Sequence, residues 1–276
     1  MNLIKIVLRV ISIMVIVKAL PVMAEEGIYE MGAFPNMPVA KLQELFTPLA
    51  DEFSRTLGRK VRLSSKPTFE AFESVLNSEF YDIAHIQPFD YVEAFDKHNY
   101  LPLARRSEEL EALFVVNQGS LINSIADMKG KKIVSPPPDA AVSHLANMAL
   151  RDAGINPKSD VKREYSKNHF SCLQNVLIGE ADVCVAAIQM IRQFEKEKKI
   201  TVPFRVVHKS RKIPHTLFVV HKRVSQKDRD LLLNTVLNLQ NSGNGRKILG
   251  ALDYRPFVQA RDSDYTLIRK FIREGK

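Results

Sequence analysis

The order of elements along the chain limits its fold more than any other feature. Short runs of β type alternate with helical patterns in two successive sets, and one further strand is followed only by helices. Such alternation builds βαβ units around a mainly parallel sheet. In the first set, residues 27–33 read as a strand. Leu42, Leu45, Phe46, Leu49, Phe53 and Leu57 then recur at three- and four-residue steps, which gathers them on one helix face. Pro48 predicts a break or restart in that helix, and Gly58 its end. Strands follow at 61–65 and 82–86, separated by a helix that Thr68 caps. A helix after Pro88 turns Tyr91, Val92 and Phe95 inward, and strands at 101–105 and 113–117 close the set.

A polar turn at 127–132 opens the second set. Its strands are 132–135, 161–165, 181–187 and 204–208, and its helices are 141–153, 171–178 and 190–198, the first two stopped by Gly154 and Gly179. The strand 217–221 is followed by helices at 226–239, 246–252 and 265–272. A lone strand cannot bury itself, so it is expected to return to the first sheet. The chain then crosses between two lobes twice, near 115–118 and near 211–216. The expected fold is α/β with a two-crossover hinge: lobe I is residues 25–114 and 216–276, and lobe II is residues 115–215.

The first 24 residues stand apart. Lys5 and Arg9 precede an apolar run over 10–17, and Pro21 precedes the small-residue ending Val22-Met23-Ala24. This is the layout of a secretory signal with Glu25 as the first mature residue. Arg9 and Lys18 interrupt the apolar stretch, which keeps an uncleaved membrane anchor as the alternative. The chain carries 40 Lys and Arg against 31 Asp and Glu, and three of those cations lie in the leader. The remaining excess is mild, scattered and not interleaved with aromatics, so no nucleic-acid partner is expected. Export would place Cys172 and Cys184, on a helix and the strand after it, in an oxidising compartment where such a pair forms a disulfide.

In open α/β sheets, ligands collect outside the carboxyl ends of strands, where helix amino-termini present unpaired N–H groups and a positive dipole end. Six loops of this chain would face the cleft: 33–36, 65–68 and 85–88 in lobe I, and 135–143, 166–169 and 186–189 in lobe II. Their candidate ligand residues are Phe34, Thr68, Gln87 and Asn168. Tyr91 and His169 add hydrogen-bond donors, one from each lobe. Thr68, Asn36 and Asn168 also read as simple helix caps. No catalytic group, cofactor or metal is assigned.

In order and spacing, the segments GAFPNMP, FTPLADEFSRTLGRKV, YDIAHIQPFDYVEAF, LPLAR, IADMKGKKIVSPPP, LRDAGINP, NHFSCLQNVLIGEADV and KIPHT resemble the phosphate/phosphite/phosphonate-binding proteins of ABC importers, over nearly all of the mature chain. The resemblance implies a type II periplasmic-binding-protein fold and a periplasmic location. It implies a monomer that holds a small anion for a permease and ATPase. Tyr91 and His169 match the family's ligand-binding tyrosine and histidine. The second-lobe anion loop falls on Asp139, Ala140 and Ala141, where the family typically carries a hydroxyl-rich run. Losing those donors, each worth roughly 1.5–3 kcal/mol to a charged group, argues against phosphonate itself. The amides of Ala140 and Ala141 would then serve a smaller or less charged oxyanion, and Asp139 would serve a ligand ammonium or act as a helix cap.

Three other readings bear on function. Cys172 beside His169 has the makings of a nucleophile, against which Cys184 stands as its disulfide partner. His85, His144, His169 and Asp139 would be the donors of a metal carrier, but none has close metal-ligand spacing. A receptor feeding a membrane sensor would use the same cleft as an importer component.

Overall fold

A computed structural model of the chain describes residues 27–198 and 204–273. The leader read at 1–24, with Glu25, lies outside the described residues. The elements run β1 (Tyr29–Ala33), α1 (Val39–Leu57), β2 (Val61–Ser65), α2 (Phe69–Asn77), β3 (Ile83–Ile86), α3 (Pro88–Lys97), β4 (Tyr100–Arg106), β5 (Glu109–Leu110) and β6 (Leu113–Asn117). They continue with β7 (Lys132–Ser135), α4 (Ala141–Asp152), β8 (Lys162–Tyr165), α5 (His169–Leu177), β9 (Val183–Ala186), α6 (Ile188–Lys198) and β10 (Phe204–Lys209). The last are β11 (Ile213–Pro214), β12 (Leu217–His221), α7 (Gln226–Leu237), α8 (Gly243–Leu252), β13 (Phe257–Gln259) and α9 (Thr266–Arg273).

Two sheets result. The first has the spatial order β13, β4, β12, β3, β1, β2, and the second the order β10, β6, β9, β7, β8. As expected, β12 returns to the first sheet, where all five of its residues are buried between β3 and β4. The sheets are mixed, however, rather than mainly parallel. β1 lies parallel to β2 and β3, but β12 enters antiparallel to both β3 and β4, so that β4 runs with β1, and β13 is antiparallel to β4. The second sheet follows a like scheme, with β7 parallel to β8 and β9, and β6 reversed between β9 and β10. Strands that come back after a crossing enter their sheet from the opposite end, and the local alternation of elements does not reveal this.

Four local readings are corrected. β6, counted with the first set, pairs with β9 and β10, so a boundary between 114 and 115 falls inside a strand of the second sheet. The first crossing comes earlier, at β5, whose two residues pair antiparallel with β11 at the second crossing. α1 runs unbroken through Pro48 because that residue is exposed: the carbonyl it leaves without an N–H partner faces solvent. The segment after β12 is not all helix, since β13 adds an edge strand to β4.

Each apolar helix face packs as its spacing requires. α1 buries Leu42, Leu45, Phe46, Leu49 and Phe53 against the first sheet and ends at Gly58, whose φ of 66° fits the left-handed cap. α4 and α5 pack on the second sheet, and α6 packs against α5. Gly32 is required by packing, because a Cβ there would lie 2.7 Å from the Tyr81 ring.

Cys172 on α5 and Cys184 on β9 form a disulfide between two fully buried positions, 12 residues apart. The double variant Cys172→Ala, Cys184→Ala is expected to lose about 3 kcal/mol of stability, read as a lower midpoint in urea denaturation. An unchanged midpoint would show that the crosslink contributes nothing to the fold.

Candidate functional site

The cavity lies where the carboxyl ends of the two sheets face each other. Phe34 and Asn36 reach it from the β1–α1 loop, and Gln87 from the start of α3. The second sheet's side contributes Ala141 and Val142 at the start of α4, His169 at the start of α5, and Ala187, Gln189 and Met190 around the start of α6. Arg106, Leu110, His215 and Thr216 come from the crossings, and Tyr254 from the turn after α8. The space is small. Centres of water-sized atoms occupy about 30 Å³ of it, against roughly 10–15 Å³ for one water molecule.

The helix starts that meet here follow from the sequence. β3 and β9 each give way to a helix within two positions, α3 at Pro88, which has no N–H to continue the ladder, and α6 at Ile188. Asn168 caps α5 by accepting from the Ser171 amide at 3.0 Å, and this places His169 on the first turn with its ring in the cavity wall.

Several polar atoms in the wall have no partner within the protein. The Thr216 amide donates to His215 Nδ1 at 2.7 Å, so the proton of that neutral ring sits on Nε2, which is buried and unbonded. His169 Nδ1 and Asn36 Oδ1 are likewise buried without partners. A buried, unsatisfied polar group costs about 1–3 kcal/mol, so the His215 Nε2–H calls for a ligand atom that accepts a hydrogen bond, while Asn36 Oδ1, itself an acceptor, calls for one that donates. Burial lowers the His169 pKa to about 3 and pushes His215 well below the usual histidine range, Arg106 and His85 adding to the effect on His215. Both rings are therefore neutral at neutral pH, and His215 presents its Nε2–H as a donor.

The two halves are closed on one another. Gln87 Nε2 donates to the Asp139 carbonyl at 3.1 Å, and Gln87 Oε1 accepts from the Ala141 amide at 2.9 Å. Beside them the Phe89 ring stacks on His144 at 4.4 Å. On the other flank Gln193 Nε2 donates to the Ala251 carbonyl at 2.7 Å, and Arg192 pairs with Asp253 at 3.3 Å.

Of the residues singled out in the sequence, Phe34, Gln87, Ala141 and His169 meet at the cavity. Tyr91 does not. Its hydroxyl donates to Asp262 Oδ1 at 2.8 Å and its ring packs on Tyr265, so burial and the Asp262 carboxylate push its pKa up. Thr68 is exposed and caps α2 through the Ala71 amide, and Asn168 is engaged as the α5 cap. Asp139 is exposed and faces a separate groove with Glu73, Asp90 and Glu93; the cap position of α4 belongs to Ala140. The amides of Ala140 and Ala141, expected to serve the ligand, are bonded to the Pro137 carbonyl and to Gln87.

Arg106, Tyr254, Thr216 and the role of His215 were missed. The KIPHT turn was the available signal, because a segment that crosses between lobes must line the gap between them. Arg106 is buried, with its guanidinium bonded to Glu108 and lying 3.8 Å from the Tyr254 ring centre. His85 is enclosed by Phe34, Phe46, Phe218 and Tyr254, with both ring nitrogens unbonded.

Two α/β sheets joined by a double crossing, with helix starts gathered around a closed cavity between them, define a two-lobed solute-binding protein of the type II periplasmic class. The chain belongs to the family of ABC-transporter periplasmic substrate-binding proteins for phosphonate, whose pattern matches residues 31–265. The phosphonates-binding periplasmic protein of Escherichia coli (strain K12) is 22% identical over 261 residues, covering 89% of this chain and 76% of that protein. PhnD1 of Prochlorococcus marinus (MIT 9301), solved in complex with methylphosphonate, superposes with a TM-score of 0.80 at 19% identity, covering 90% of this chain and 97% of that one. A binding-protein component of an ABC phosphonate transporter from Pseudomonas aeruginosa gives 0.79 at 18% identity, covering 89% and 85%. These relatives are transport proteins and not enzymes, which removes the cysteine-nucleophile reading, as the disulfide does independently.

Buried neutral histidines make the protein acid-sensitive. Burial holds His85 and His169 at a pKa of about 3 and depresses His215, whereas unfolded histidine titrates near about 6.5. Between those values the unfolded chain binds more protons. The contribution is thus fully present above about pH 6.5 and is lost as pH falls toward 3, by about 1.4 kcal/mol per pH unit for each histidine. Urea denaturation across this range is expected to show that decline, and His85→Phe to reduce its slope by about one histidine's share. An identical slope in the variant would contradict the assignment.

Proposed function

We propose that this protein is the periplasmic component of an ABC importer that encloses a small oxyanion between its two lobes and delivers it to a permease and ATPase. The observation that carries the reading is the pair of unbonded ring nitrogens, on His169 and His215, buried in a cavity to which both sheets contribute helix starts. An oxyanion offers the acceptors those donors lack. The methylphosphonate held by the Prochlorococcus marinus protein is a ligand of that kind, and the family's periplasmic location agrees with the secretory layout of residues 1–24.

The lobes turn about the β5–β11 ladder, with residues up to β4 and from β12 onward forming one lobe and residues between β6 and β10 the other. The protein acts as a monomer. Ligand contacts with both lobes favour the closed form over the open one, and the closed form is what the membrane partner recognises. His169 bonds the anion from α5, His215 from the crossing, and Gln189 from the start of α6. Phe34 and Tyr254 close off water.

A thermal-shift screen of phosphonates, phosphite, phosphate, sulfate, sulfonates and carboxylates should identify a ligand. At a hundred times its dissociation constant it is expected to stabilise the protein by about 2.7 kcal/mol. Against that ligand, His169→Ala and His215→Ala are each expected to weaken binding by about ten- to a hundredfold, the worth of one hydrogen bond to a charged group. Tyr91→Phe should bind normally while melting earlier. Failure of every oxyanion to shift the melt would contradict the reading.

A further inference from the structure

Gln87 occupies a position of particular consequence. It is 2% exposed and stands at the start of α3 in one lobe, yet its side-chain oxygen accepts from the first amide of α4 in the other. That amide points along the positive end of a helix of 12 residues whose cap residue, Ala140, has no side-chain oxygen to offer. A free amide there would take an anionic oxygen, and the Gln87 carbonyl fills that place. Its amide nitrogen is held in turn by the Asp139 carbonyl and Asp90 Oδ1, both at 3.1 Å, which fixes which end of the side chain faces α4.

The charge carried by the rest of the wall is equally limited. Among the described residues, the only formal cation lining the cavity is Arg106, and its Nε and Nη2 both bond Glu108. Among the described residues no carboxylate lines the cavity, so a ligand ammonium finds no partner among them. His169 and His215 supply neutral donors, as their burial dictates. Dipoles and neutral N–H groups can balance one negative charge in such a space, but a second would be buried without a cation.

We infer that Gln87 sets the ligand charge this site accepts: by lending its own oxygen to the α4 amide it replaces one ligand oxygen, so the cavity selects a small, singly charged oxyanion. The inference rests on the oxyanion reading above and names the ligand class within it. Methylphosphonate in its singly ionised form and methanesulfonate both satisfy it, and doubly ionised methylphosphonate does not.

Calorimetric titration with these two ligands, from below to well above the second ionisation of methylphosphonate, tests the inference. Methanesulfonate keeps one charge throughout. Titrations of the protein itself act on both ligands and cancel in the ratio of their affinities, including those of Glu73 and Asp90, which face Asp139 across the neighbouring groove, and of His85, His169 and His215. In the native protein the affinity for methylphosphonate relative to methanesulfonate is expected to fall about tenfold per pH unit above that ionisation. In Gln87→Ala and in the shape-conserving Gln87→Met, with folding verified by circular dichroism, the fall should flatten because the α4 amide is free for the second charge. A flat or rising ratio in the native protein overturns the inference while leaving oxyanion binding intact, and so do variants that keep the native slope. Absence of binding by both ligands at every pH overturns the oxyanion reading, and this inference with it.

Discussion

Unpaired peptide amides at the starts of helices are the constraint on which this structure depends. Each helix that follows a strand in a βαβ unit leaves its first N–H groups pointing out of the sheet at the carboxyl end. When two sheets face each other at those ends, the amides of α4, α5 and α6 converge with the loop before α1 and the start of α3 on one small volume. Those amides must be met by something. Asn168 answers for α5, Gln87 answers for α4 from the opposite lobe, and the buried histidine nitrogens are left for a ligand. The polarity of the cavity and the closure of the lobes both follow from this.

Closure and recognition share residues. Gln87 links the halves through two hydrogen bonds and lines the cavity. Gln189, next to the Arg192 and Gln193 that fasten α6 to the turn after α8, lines it from the other side. In the proposed function, ligand contacts and lobe contacts would therefore form together, coupling occupancy to shape. The pairing of β5 with β11 holds the two crossings side by side.

The sequence made the βαβ sets, the returning strand, the disulfide and the six loops legible because each has a local signal: an apolar period, a glycine stop, a capping residue, a pair of cysteines across one unit. It picked Phe34, Gln87, Ala141 and His169 by that route. Tyr91 was misplaced because the same helical spacing serves two ends. Four residues past Gln87, it turns under α3 toward Asp262, and the apolar spacing it shares with Val92 and Phe95 was the better guide. Arg106, His215 and Tyr254 carry no periodic mark, since they belong to strand ends and turns that only the closed topology brings together. β5, β11 and β13 are two or three residues long, too short for alternation to register. Asp139 looked like a cap because short acidic residues before helices usually are, yet the chain turns one residue later, at Ala140.

The central claim is that one small anion is held between the lobes by donors from both sheets' sides of the cavity. The most direct measurement is a crystal structure of the complex with the best oxyanion. The anion's oxygens are expected within hydrogen-bonding distance of His169 and His215 and near the start of α6, with Gln87 still bonded to the Ala141 amide. An anion bound outside the cavity, or to one lobe alone with the halves apart, would contradict it.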